Sequence, residues 1–499
     1  MAVLHALEEA TGIPLKNMDD FKYLQISQDY KGPPATPDLL EKEIERAKSS
    51  CFNGYDLQGG HVIELKVNFH TLHKKIVEPD SFELDAFSAL RVLHWLAGDL
   101  SQLPDAITRL HSLEELHFIG NGLDVVPDNL CHLTNLVILD LGSNGITRLP
   151  EDFSCFPRLE QVILPENQLS ALPDSVYEVP TLKVLHLAGN YLSDLSPFIG
   201  QLTQLESLDV GSNQLTSLPE TTGDLRNLTK FSCPHNKIES LPDTIGMLQS
   251  LEELDLEGNR LHTLPPAMGE LQHLRRLNLR QNYLPAVPPS LRQLQKLRSL
   301  DLSKQKSLPK EVKGILKLPA WITELKDLTE LNVSENKLTQ LPKNIGNLVN
   351  LITLDLHHNK LQALPETVGG LINLRCLFVG QNSLATFPDA FASLASLRRL
   401  DISKNYFTTI PWQVAFCLLT EFNVRDNPLT GSSKRALARA LRKPRVIPFP
   451  TPSYYFWEEL TKESCAQAVR LGKMSTEEAD AHNAEQNELA YHGRARFRG

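Results

Sequence analysis

Cysteine is scarce in this chain. The seven residues, Cys51, Cys131, Cys155, Cys233, Cys376, Cys417 and Cys465, are scattered through 499 positions and odd in number, with no paired spacing. That pattern argues against a disulfide-capped secreted protein and predicts a reducing, cytoplasmic setting. Long apolar runs are missing as well. No stretch approaches the ~18 uncharged apolar residues of a membrane span. The opening MAVLHALEEATGIPLKNMDD is acidic by position 8 and has no continuous apolar core, so it does not read as a secretory signal. Positive charge is not in excess: 50 Lys and Arg stand against 60 Asp and Glu, a formal charge of -10. Bulk charge therefore argues against a nucleic-acid partner.

Catalytic signatures are missing too. GKMST (472–476) fails as a phosphate loop, because Lys473 is followed by Met474 and the first glycine position holds Gln467. Kinase, serine-hydrolase and zinc patterns are absent, and no cofactor is expected. His94 and His117 share one position on adjacent repeats. His186 shares it three repeats further on, roughly 14 Å away at strand spacing. Two histidines do not make a zinc site, so these read as contact residues.

What the chain has is a repeat. LVILDLGSNGITRLP (136–150) returns as LESLDVGSNQLTSLP (205–219), LEELDLEGNRLHTLP (251–265) and LITLDLHHNKLQALP (351–365). First leucines fall every 23 residues from Leu90 to Leu297, resume at Leu328 and close at Leu419, and a weaker copy opens at Val62. In L-x-x-L-x-L-x-x-N-x-L the alternating leucines point one way and their neighbours the other. One short strand cannot bury its own apolar face, so stacked coils must pair their strands in parallel and pool their leucines. The recurrent Asn, from Asn121 to Asn427, needs partners for its amide and should bond the backbone of neighbouring coils. The recurrent Pro, from Pro104 to Pro411, fixes φ and donates no N–H, which suits the start of a short helical or 3-10 segment. One coil departs, with Ser196 in the slot and proline displaced to Pro197.

These features predict an α/β leucine-rich-repeat solenoid, a horseshoe with a parallel concave sheet, short helical or 3-10 convex segments and helical caps. Residues 59–431 would form about 15–16 coils. Residues 1–58 would hold an N-terminal helical cap, its helix starting at Thr36 and running through PDLLEKEIERAKSS (37–50). Residues 432–499 would supply a capping helix and a tail, with Tyr454, Tyr455, Phe456 and Trp457 expected to pack back onto the last coils. Eight extra residues fall within 303–313, around Lys304, Lys306, Lys310 and Lys313. They read as a surface loop that divides the array into two stacks, or as a contact for a partner.

The unit L-P-x-x-[IVL]-G-x-L-x-x-L resembles the intracellular Ras-group class of leucine-rich repeats, which includes Ras-pathway scaffold proteins of animals and Ras-group-related proteins of plants. The resemblance covers Val62 to Leu429, and DNPLTGSSKRALARALRK (426–443) looks like that class's last coil and capping helix. It implies a binding scaffold, often in signalling, without chemistry of its own. KVNF (66–69) matches a docking motif for type 1 protein phosphatase, but Val67 falls in a core slot, so a plain first strand is expected.

The outward positions of the sheet carry no fold duty and locate the candidate site. Near the N-terminal end they are Val92, His94, Leu96, His117, Ile119, Ile138, Ile163, Val184 and His186, an apolar run suited to a protein partner. The C-terminal half mixes Arg280, His357 and Phe378, together with Arg276, Lys304, His358, Arg399, Lys404 and Arg425, among acids at Asp255, Glu257, Asp355 and Asp401. The Asp column itself reads as repeat consensus. The leading function is thus a non-catalytic scaffold. A regulatory subunit recruiting a small GTPase or a phosphatase is a specific case of it, and an enzyme with a catalytic C-terminal segment is the rival.

Overall fold

One coil shows how the sequence builds the fold. Leu205, Leu208, Val210, Leu215 and Leu218 are buried, and residues Ser207–Asp209 form a strand. After the strand Ser212 takes φ 51°, which swings the chain out of the sheet plane. Asn213 follows, buried. Its Nδ2 donates to the carbonyls of Leu187 (2.9 Å) and Val210 (3.1 Å), and its Oδ1 accepts from the Leu192 N–H (3.0 Å). The amide thus satisfies groups on its own coil and on the preceding one. Pro219, extended at φ -68°, leads into the 3-10 segment Glu220–Asp224. In that segment a Cβ on Gly223 would collide with the Thr244 carbonyl oxygen of the next coil, so the coil spacing requires glycine there.

The computed structural model describes residues 16–17, 54–58, 61–68, 84, 87–306 and 314–435. The helix expected at 37–50, the middle of the insertion (307–313) and the aromatic tail lie outside them. Contacts divide the chain into two units, Met1–Leu251 and Glu252–Gly499.

In the first unit, β3 (His61–Asn68), β4 (Val92–Leu96), β5 (Glu115–Ile119), β6 (Ile138–Asp140), β7 (Gln161–Ile163), β8 (Val184–His186), β9 (Ser207–Asp209) and β10 (Lys230–Ser232) pair in parallel, each with the next. Two further strands precede them. β1 (Lys16–Asn17) pairs in parallel with β2 (Gly54–Gln58), which forms an antiparallel hairpin with β3. The described residues of the stretch expected to be a helical cap are therefore strands. The weak copy at Val62 is a full strand, and Lys66 and Val67 are buried in it. Val67 cannot be offered to a phosphatase, as its core slot implied.

The second unit repeats the plan with β11 (Glu253–Asp255), β12 (Arg276–Asn278), β13 (Ser299–Asp301), β14 (Glu330–Asn332), β15 (Thr353–Asp355), β16 (Cys376–Phe378), β17 (Arg399–Asp401) and β18 (Glu421–Asn423), all parallel. Residues 431–435 are helical, where the capping helix was expected to begin. The architecture is the leucine-rich-repeat solenoid, with 3-10 segments opposite the strands.

Two further expectations are corrected. The insertion does not divide the array, because β13 and β14 pair in register across it, Leu300 opposite Leu331. Gln305 fills the asparagine slot before it, donating to the Leu279 carbonyl (2.8 Å) and accepting from the Leu284 N–H (3.0 Å). Ile315 then resumes the leucine position, bonding Asn336 Oδ1 (3.2 Å). The cysteines are not all unpaired either: Cys131 and Cys155, on adjacent coils, form a disulfide. Their separation of 24 residues places them diagonally across neighbouring turns, off the 23-residue column, which hid the pair from a column-by-column reading.

Candidate functional site

Strand pairing fixes which outward side chains meet in the first unit. One row runs Val92, Glu115, Ile138, Gln161, Val184, and the next runs His94, His117, Asp140, Ile163, His186. Leu96 and Ile119 begin a third row. All nine residues singled out in the sequence lie on this face, and all are half-buried. Their mutual packing follows from the ~4.8 Å strand spacing, which leaves each only its tip exposed. The rows are not continuously apolar, because Glu115, Gln161 and Asp140 interrupt them.

Those interruptions organise the electrostatics. The His117 and His94 rings stack with centroids 4.4 Å apart. His117 Nδ1 lies 3.1 Å from Asp140 Oδ2, and its Nε2 lies 3.5 Å from Glu115 Oε2. Burial opposes its charged form, but the bonds to Asp140 and Glu115 outweigh that and raise its pKa to about 9. His94 shifts the other way. Burial lowers its pKa and the charge on His117 adds to that, against Glu64 at 3.6 Å. At neutral pH the stack therefore holds one imidazolium beside Glu64, Glu115 and Asp140, a locally acidic patch rimmed by Val92, Leu96, Ile119 and Ile138. The three carboxylates were missed in the sequence. The signal was there, since Glu64 and Asp140 occupy outward slots one coil away from a histidine and Glu115 the outward slot just before His117.

His186 stands apart, its Nε2 3.1 Å from Ser207 Oγ and its pKa lowered by burial. Among the described residues no group of three or more His, Cys, Asp or Glu is arranged to hold a metal.

In the second unit the structure joins two of the three predicted residues. His357 Nδ1 lies 3.2 Å from Asp355 Oδ1, its Nε2 lies 3.3 Å from Asp401 Oδ2, and its ring stacks on Phe378 at 5.7 Å. Hydrogen bonds to Asp355 and Asp401 raise its pKa to about 9. Burial opposes ionisation of Asp401, but the bond to His357 and the further bonds to Ser403 and Asn423 hold its pKa down at about 2. Arg280 is not part of this cluster; it pairs with Glu257 at 3.2 Å. The Asp column does carry fold duty: Oδ1 of Asp209, Asp255, Asp301, Asp355 and Asp401 each accepts the N–H two residues on, at 2.8 to 2.9 Å. His358, Lys304 and Lys404 occupy left-handed turn positions at φ 51° to 55°.

Comparison with known proteins agrees with this geometry. A model described as leucine-rich repeat region matches residues 166–259 and 320–411, and one described as leucine rich repeat matches 111–169 and 249–306. Among solved structures, a leucine-rich-repeat protein of Leptospira interrogans is 28% identical, with 76% of this chain and 100% of that chain covered at a TM-score of 0.65. The plant peptide hormone receptor RGFR1, solved in complex with RGF2, is 26% identical over 69% of this chain and 60% of that one, at a TM-score of 0.53. A TDR receptor is also 26% identical, over 74% and 69%, at 0.56. No curated protein sequence matches. No helix among the described residues is long and apolar enough to cross a membrane.

Proposed function

The chain is a leucine-rich-repeat protein, and from that premise we propose that it is a non-catalytic scaffold that binds a protein partner on the concave sheet of its first unit. The observation that carries this is the apolar rim of Val92, Leu96, Ile119, Ile138 and Ile163 around the His94–His117 stack and its three carboxylates. Such a patch recognises a polypeptide segment with one apolar anchor and a basic side chain beside it. Most of the binding energy should then reside in a few central residues. The RGFR1 structure, which contains RGF2, supports a polypeptide ligand for this kind of solenoid.

The repeat unit's likeness to the intracellular Ras-group class adds the setting: cytoplasmic signalling, with a small GTPase or a protein phosphatase as the partner class. Introducing charge tests the surface. Ile119→Glu and Ile163→Glu should abolish affinity capture of the partner from the native cell while the circular dichroism melt stays in place. Retained capture with both substitutions excludes this patch. Identification of a GTPase or a phosphatase by mass spectrometry would decide the regulatory reading.

A further inference from the structure

The second unit carries another surface, at the edge where each outer segment re-enters its strand. The residue after the segment's last core position is polar or proline through ten coils, as in His111, Pro157, Thr203, Gln272, Gln295 and Lys326. It then becomes Val349, Ile372, Ala395 and Leu418 in four consecutive coils. Val349 is 42% exposed, Ile372 56% and Leu418 37%, and the neighbouring Ile352 is 38% exposed. Fold duty does not explain the change, because the same position is polar elsewhere. Beside the stripe is an open groove of about 390 Å³, lined by Asn350, Ile352 and Asn373, with Arg298, Arg375 and Asp327 among its walls. Neither arginine side chain has a partner among the described residues.

An exposed apolar stripe beside two arginines and one aspartate, a net charge of one positive, calls for an occupant that is both apolar and acidic. The chain contains such a segment. PSYYFWEEL (452–460) sets Tyr454, Tyr455, Phe456 and Trp457 directly before Glu458 and Glu459. The described chain stops at Arg435, one coil past Leu418. From Leu418 to Val349 is three coil spacings, ~14 Å, and the nineteen residues from Arg435 to Tyr454 can reach up to ~60 Å. We propose that residues 452–460 dock in this groove of their own chain, with the aromatic side chains on the Val349–Leu418 stripe and Glu458 and Glu459 toward Arg298 and Arg375. The tail then covers the edge of the solenoid and leaves the sheet face open.

The test uses the full chain with a benzophenone amino acid in place of Trp457, irradiated at high dilution. Cross-links should form within one chain and map to residues 349–375. Ile372→Glu and Arg375→Glu should each lower their yield about fivefold or more, as loss of a central contact does. Reversing Glu458 and Glu459 to Arg should restore the yield in the Arg375→Glu background. Both substituted residues are exposed, so unchanged circular dichroism is expected to accompany the loss. Cross-links elsewhere, cross-links joining two chains, or a yield unaffected by either substitution would overturn the proposal.

Discussion

The imidazole of His117 lies flat on that of His94, ring planes within 8° of parallel. Two imidazolium rings at that distance would repel, so the stack is stable with one proton between them. The surroundings decide which ring holds it. His117 has carboxylates on both nitrogens, whereas His94 has only Glu64 at 3.6 Å to set against its burial.

The two rings should therefore titrate far apart. By NMR, His117 should change protonation near pH 9 and His94 below its usual value of 6.5. His117→Gln removes the neighbouring charge and should raise the His94 midpoint. The effect on stability has a definite sign. A histidine whose folded pKa is raised contributes fully below its unfolded value and loses that contribution as pH climbs through the folded one. The melting midpoint of the native chain should exceed that of His117→Gln most clearly below pH 6.5, and the gap should close above about 9. Coincident titrations of the two rings would contradict the assignment.

The amide ladder gives a second expectation. Asn213→Ala leaves the buried Leu192 N–H without its side-chain acceptor, while the Leu187 carbonyl loses one of its two amide donors and keeps Asn190. An orphaned buried N–H costs ~1–3 kcal/mol. Gln305→Ala should be as damaging, because Gln305 bonds the Leu284 N–H and the Leu279 carbonyl in the same manner. Denaturant midpoints of the two variants should fall together. A neutral Gln305→Ala would show that the longer amide is not a rung of the ladder.

Gln305 also shows where sequence reading stops. The leucine period located strands and core because burial of a strand's one face admits little else at those positions. The ladder was legible through its asparagines, but a glutamine in the slot carries no consensus signal and only its bonds reveal it. Alternation alone put the nine N-terminal side chains on the outward face of the sheet. The charge of that face was missed, because Glu64 and Asp140 reach the histidines from neighbouring coils and only strand pairing brings them together, while Glu115, two residues before His117 on the same strand, was passed over. The β2–β3 hairpin was missed for a related reason, since Gly54–Gln58 lies ahead of the repeat that guided the reading.

The in-register pairing of β13 with β14 makes the insertion dispensable for folding. Deleting 307–314 joins Lys306 to Ile315 and restores the 23-residue spacing. Shortening a surface loop changes its closure entropy only slowly with length. The variant should keep its circular dichroism spectrum and melt close to the native chain. Collapse of the second unit on deletion would mean that these residues support the coils.

The Cys131–Cys155 bond links two coils that already share sheet pairing, so its effect should be local. Cys131 lies in the 3-10 segment Asp128–His132 and Cys155 in the turn of the next coil, on the side of the solenoid opposite the strands. A cross-link closing a loop of this size contributes roughly 3 kcal/mol in the chain-entropy account. In a solenoid that contribution falls on opening of the bonded repeats and not on every coil equally. Under non-reducing conditions the intact chain should be two hydrogens lighter than its fully reduced form. Reductant should raise amide exchange in residues 128–156 of the native chain and leave the Cys155→Ser variant unchanged. Equal responses of the two proteins to reductant would show that the bond does not hold these coils together, and the stacking of Leu130, Phe153 and Phe156 in the core would then suffice.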